Sequence, residues 1–290
     1  MAGDGPRAPA GDVVTVTRAD PAGRLGAELG LVLATAVAAV SIFGIVLPST
    51  YARETPAWAA QAVGQDWFDL LVAVPWLALA SRRATGAGRL LLAGGVLYAV
   101  YELVIYAFGV HFNALFLLYC GALGLALLTL LLLAVSLLRQ PPPAWPTSGA
   151  PVRTVAGLLF GTGALFAFLW LAEILPAMAR GETPASVTAA ALPTNPVHVM
   201  DLAIILPAHV AAAALLLQRR PTGEMLATIL LAFGLLMSAS IGGMLLVMRL
   251  RAVPASSGVI LGMTALAIAD ALLLGRILRV TRRAPPARTP

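Results

Sequence analysis

Hydrophobic positions in this chain come in long blocks, with no strict two-residue alternation. Eight apolar runs, near residues 25–46, 64–81, 90–110, 112–138, 155–177, 197–217, 225–247 and 258–278, are each about 20 residues or slightly more. Inside hydrocarbon no water is available to backbone N–H and C=O groups, so such runs must be helices or strands of a closed barrel. Continuous apolar stretches, as opposed to alternating ones, select helices. The pattern therefore predicts an all-α, polytopic membrane bundle of eight transmembrane helices.

The polar stretches divide the chain. Residues 1–24, rich in Gly, Ala, Pro and Asp, read as a disordered leading segment, and 281–290 as a basic, mobile tail. Residues 139–153 include Pro141-Pro142-Pro143-Ala144-Trp145-Pro146 and predict an extended, semi-rigid linker. It separates two units, 25–138 and 154–280, which share a pattern. Leu47-Pro48-Ser49-Thr50-Tyr51-Ala52-Arg53-Glu54-Thr55-Pro56 leads to Asp69 and Pro75. Leu175-Pro176-Ala177-Met178-Ala179-Arg180-Gly181-Glu182-Thr183-Pro184 leads to Asp201 and Pro207. In both, an aspartate precedes a proline by six residues and an Arg-Arg pair follows (Arg82-Arg83, Arg219-Arg220). Four spans per unit is an even number, so two parallel four-helix repeats are expected, related by an axis along the membrane normal.

Local signals refine this picture. Asn195 can cap the sixth span, with Pro196 at the first helical position, where no donor is needed. Pro75 and Pro207 lie inside helices and cannot bond the carbonyls of Leu71 and Ala203, which predicts kinks there.

Charge then orients the bundle. The composition is 60% hydrophobic and 11% charged, and all 19 basic residues are arginine. Fifteen fall in segments on the side of the termini, and four (Arg53, Arg180, Arg249 and Arg251) on the other. The positive-inside rule then places both termini in the cytoplasm, with the protein in the cell (inner) membrane. The net charge of +6 describes a basic face against anionic lipid, the lipid bilayer being the expected partner. Arginines scattered over short loops argue against nucleic-acid binding. The first run lacks a small-x-small cleavage site and matches the fifth in the repeat, so it is read as a span, with no signal-peptide role. The single cysteine, Cys120, excludes a disulfide framework or thiolate metal cluster.

The candidate chemistry lies in polar groups within the runs. Ionisable residues at bilayer depth are expensive and face partners or water. Asp69, Glu102, Glu173 and Asp201 all fall in the half of the membrane away from the termini, whereas Asp270 is mid-span. Tyr98, Tyr101 and Asn113 lie at similar height. His198 and Asp201, three apart, share a helix face, and His209 is nearly in line with His198. No nucleotide loop, zinc motif or nucleophile elbow is present, no cofactor is indicated, and one histidine among scattered acids is a weak metal signal.

Phe112-Asn113-Ala114-Leu115-Phe116-Leu117-Leu118-Tyr119 and Asn195-Pro196-Val197-His198-Val199-Met200-Asp201-Leu202 resemble signatures of a family of bacterial, internally duplicated, multi-span membrane proteins of unassigned function. The resemblance runs from about residue 25 to 278. It implies an eight-span inner-membrane protein and brings no activity, substrate or catalytic residue with it.

The reading favoured by the residues is transport or binding of a small solute, cation or proton at an acidic cavity in the extracytoplasmic half. Asp69 and Asp201 would be its paired groups, supported by Glu102, Glu173, His198, Tyr98, Tyr101 and Asn113. Two alternatives stand beside it. In one, the acids bond one another and the protein is structural or a partner scaffold. In the other, it is a membrane enzyme acting on a lipid-like substrate, which calls for a deep cavity opening sideways to lipid.

Overall fold

The computed structural model describes residues 20–83, 85–146 and 149–283. Eight of its helices are long and apolar enough to cross a membrane. They are α1 (Pro21–Val46), α2 (Pro56–Ser81), α3 (Gly86–Gly109), α4 (Phe116–Arg139), α5 (Val152–Arg180), α7 (Pro196–Leu217), α8 (Pro221–Leu250) and α9 (Ser257–Arg283). The short α6 (Ala185–Ala190) lies between α5 and α7. The all-α, eight-span expectation holds for the described residues, and the chain is an integral membrane protein by that architecture. Most of the leading segment and tail lie outside the described residues. Residues 21–24 and 281–283, expected to be disordered or mobile, are helical.

Caps explain where the helices start. The Asp20 carboxylate accepts from the Gly23 amide at 2.9 Å, with Pro21 following. Thr55 caps α2 ahead of Pro56, Thr85 caps α3, and Asn195 caps α7 ahead of Pro196. Because Thr55-Pro56 starts α2, that helix begins eight residues before the apolar run at 64. Gly181, with φ of 68°, ends α5 in a left-handed turn that suits a residue without Cβ. The proline linker is tied down, since Trp145 is buried and its amide donates to Glu224 Oε2 at 2.7 Å.

At the two prolines the expected kinks take a specific form. Each is preceded by a single π turn that begins at the aspartate. The Val74 amide bonds the Asp69 carbonyl, and the Leu206 amide bonds the Asp201 carbonyl, five residues back in both cases. Proline has no N–H for the ordinary ladder, and the turn before it widens to hold one more residue. Both aspartates end up buried.

Helix α3 is the centre of the molecule, with 72% of its apolar window buried, against 22% for α5 and 17% for α9. Val96, Ala99 and Leu103 face the core shared by α1 to α4. Tyr98 and Tyr101 on the same helix join the core of the later helices. Helix α8 packs on α2 and α3 across this seam. A side chain at Gly94 would sit 2.5 Å from the Ala232 Cβ, and one at Gly64 2.7 Å from the Met244 Cα, so glycine lets the backbones approach there.

Within the first four helices, α1 packs on α2 and α4, and α3 on α2 and α4, so the ring of contacts closes. Among the last four spans, α5 packs on α7, α7 on α8 and α8 on α9. Helices α5 and α9 do not pack along each other, and that ring stays open.

Candidate functional site

Two polar sites flank α3. On one side, the closed ring holds a buried hydrogen-bond network. Asp66 accepts from the Tyr51 hydroxyl at 2.8 Å and the Tyr106 hydroxyl at 2.7 Å. Asp69, one turn on, accepts through Oδ1 from the Tyr98 hydroxyl and the Gln65 amide, both at 2.8 Å. Gln65 Nε2 also reaches Glu102 Oε2 at 3.0 Å and the Tyr98 oxygen. Its carbonyl accepts from Ser240 of α8 at 2.5 Å, which ties the network to the later helices. Asp66 and Asp69 have no solvent-exposed surface. In the loop above, burial and then the Asp66 carboxylate push the Tyr51 phenol far above its ordinary value.

On the other side of α3 is a cavity of about 500 Å³. Its walls come from α2, α3, α5, α7, α8 and α9, and α6 contributes Ser186, Ala189 and Ala190 at the end away from the termini. Most of the wall is apolar or aromatic, including Leu159, Phe166, Phe233, Met237, Ile241 and Met263. Helices α5 and α9 both line it without packing along each other.

Polar groups enter this apolar space at a few points. Asp201 lines it, accepting from the Tyr101 hydroxyl at 3.1 Å and the Trp170 indole at 2.7 Å. Glu102 and Gln65 reach it from the seam. His209 bonds the Ile205 carbonyl through Nδ1 at 2.8 Å, which leaves Nε2 as the acceptor of the ring. Asp270 faces the cavity from α9 and has no hydrogen-bond or ion-pair partner among the described residues. Concave, mostly apolar sites with few convergent polar groups are the usual form of small-molecule sites.

The residues singled out from the sequence thus fall into three groups. Asp201, Glu102 and Tyr101 line the cavity. Asp69 and Tyr98 belong to the network behind Gln65 and Glu102 and do not line it, so the two aspartates expected as a pair in one chamber occupy different surroundings. The matching π turns aim both inward, but the closed ring fills the space beside Asp69 with its own side chains.

The remaining three do not line the cavity. Glu173 accepts the Ser186 amide at 2.7 Å, which holds the start of α6. His198 is buried against the Trp170 ring, with centroids 4.7 Å apart, and its Nε2 is 3.8 Å from Glu173. Asn113 donates to the Thr50 and His111 carbonyls and accepts the Leu115 amide, so it organises the turn before α4.

Sequence reasoning missed Asp66, Gln65 and Trp170. Gln65-Asp66 opens the second apolar run one turn before Asp69, a spacing that puts the two acids on one face. The Thr55 cap starts that helix at Pro56, which places the pair well inside it. Nothing local marks Trp170 as a partner of Asp201. In comparison with known protein families, curated proteins and solved structures, the chain has no match.

Proposed function

We propose that this protein binds, and moves or presents, a small amphiphilic molecule taken up from the bilayer into the cavity beside α3. The observation that carries this reading is the apolar space of about 500 Å³, lined by α5 and α9, which do not pack along each other, and holding a few polar groups. Apolar walls suit a hydrocarbon-rich ligand, and the inward carboxylates suit a polar head that donates hydrogen bonds or carries positive charge. A fully polar solute fits less well, because the aromatic and aliphatic lining offers too few groups to replace its hydration. A structural role also fits less well, because a packed scaffold leaves few voids larger than a water molecule.

Trp58 and Trp170 line the cavity, so occupancy can be read by quenching. In nanodiscs, 11-bromoundecanol should quench tryptophan fluorescence saturably in the wild type. The Met263→Trp variant, which fills the space from α9, should show only the linear quenching of a probe dissolved in lipid. Linear quenching in the wild type, or equal saturation in the filled variant, defeats the reading.

A further inference from the structure

Of the carboxylates that face the cavity, Asp270 is the odd one. Asp201 is satisfied by Tyr101 and Trp170, and Glu102 by Gln65. Asp270 is only 4% exposed, yet no described residue donates to it or pairs with it. Its carboxyl lies on the bare backbone of Gly234 in α8, where an added Cβ would come within 2.8 Å of Oδ2. Gly234 is therefore the neighbour that leaves the carboxyl room. Helix α9 is the least buried span, so lipid-facing positions were available to an apolar side chain. A buried acid without a partner carries a desolvation cost that an apolar residue would avoid. Ionisable groups held in this way inside a membrane mark sites for ligands.

We propose that Asp270 is the docking group for a cationic head, an amine or quaternary ammonium, of the amphiphile bound in the cavity. This rests on the cavity reading above and names the ligand class for it. The surroundings agree with a cation. Among the described residues no arginine lines the cavity, so no guanidinium within it competes for the carboxylate. Phe233, the neighbour of Gly234, lines the same space and offers an aromatic surface that tolerates positive charge. The hydrocarbon part of the ligand then lies along Leu266 and Met263, toward α5.

The test compares 11-bromoundecylamine with 11-bromoundecanol, which share a tail and differ in the head. Wild-type protein in nanodiscs should bind the amine about tenfold or more tightly than the alcohol, the scale of one charge-assisted contact. Asp270→Asn should remove that preference, with the alcohol still quenching saturably. Because it removes an unpartnered carboxyl, this variant should fold and melt no lower than wild type. Gly234→Ala keeps the charge but pushes the carboxylate aside, and should also reduce the preference. Equal affinities for amine and alcohol in wild type, or an intact preference in Asp270→Asn, overturn the assignment while saturable alcohol binding keeps the cavity reading. Failure of both probes to saturate defeats the cavity reading and this one together.

Discussion

The first four helices and the last four solve the same packing problem with opposite outcomes. In the first set, α1 and α4 meet, and Asp66, Asp69, Gln65 and three tyrosines bond one another, with Asp69 Oδ2 left without a hydrogen-bond partner. On the side of the termini, Arg89 fastens that ring further by donating to Asp20 at 3.1 Å and to the Ser136 hydroxyl at 2.7 Å. In the last set, α5 and α9 stay apart, and the polar groups line a cavity, with Asp270 left unpartnered. The lesson is about energetics. Buried polar groups stabilise where they are paired, so a carboxylate bonded at both oxygens, as Asp66 is, supports a structural core, and one with no donor at all, as Asp270 is among the described residues, leaves a place for something else.

That contrast can be broken most directly by removing an acid from each side. Asp66→Ala strands the Tyr51 and Tyr106 hydroxyls, and should lower unfolding stability in mixed micelles by about 3 kcal/mol or more. Asp270→Asn should cost nothing. Equal losses at the two positions would erase the distinction between the paired Asp66 and the unpartnered Asp270.

A packing comparison comes next. At Gly26 of α1 an added Cβ would lie 3.2 Å from Leu133 of α4, whereas at Gly157 of α5 it would meet nothing within 4 Å. Leucine at Gly26 should destabilise by about 1–3 kcal/mol through overpacking, and leucine at Gly157 by no more than about 0.5 kcal/mol. Thermal melts of the two variants check this, and matched losses would mean that α5 packs as tightly as α1.

The smallest effect concerns the fastening of the closed ring. Burial of Asp20 opposes its charge, but the hydrogen bonds from Ser136 and Gly23 and the Arg89 guanidinium outweigh it and hold the carboxyl below its ordinary value of 3.8. A folded value below the unfolded one means the stabilisation is present above 3.8 and is lost as pH falls through the folded value. Asp20→Ala should therefore cost about 1 kcal/mol at neutral pH, mostly the helix cap. The gap to wild type should close in acid. A gap that widened on acidification would show that Asp20 is not held as the charged partner of Arg89.

How far the chain could be read shows in particular residues. The eight spans, the Asn195-Pro196 start of α7 and the presence of something unusual at Asp69-Pro75 and Asp201-Pro207 were all visible in one dimension. Each rests on local chemistry, namely apolar length, a capping side chain or a missing N–H. The form taken at the prolines, a π turn, was not visible, since a kink and a widened turn answer the same missing donor. Trp170 as the partner of Asp201, and Ser240 as the partner of Gln65, depend on which helices cross and at what height.

By itself, then, the sequence determined that this is an eight-span helical membrane protein with acids at bilayer depth. Lipid imposes that outcome on any chain with these apolar runs. Only the tertiary structure decided that α1 meets α4 while α5 and α9 do not, and so which acids are sealed and which face a cavity. Helix–helix contact in lipid is settled by close packing between distant segments, and that is a property of their three-dimensional arrangement, which no local pattern carries.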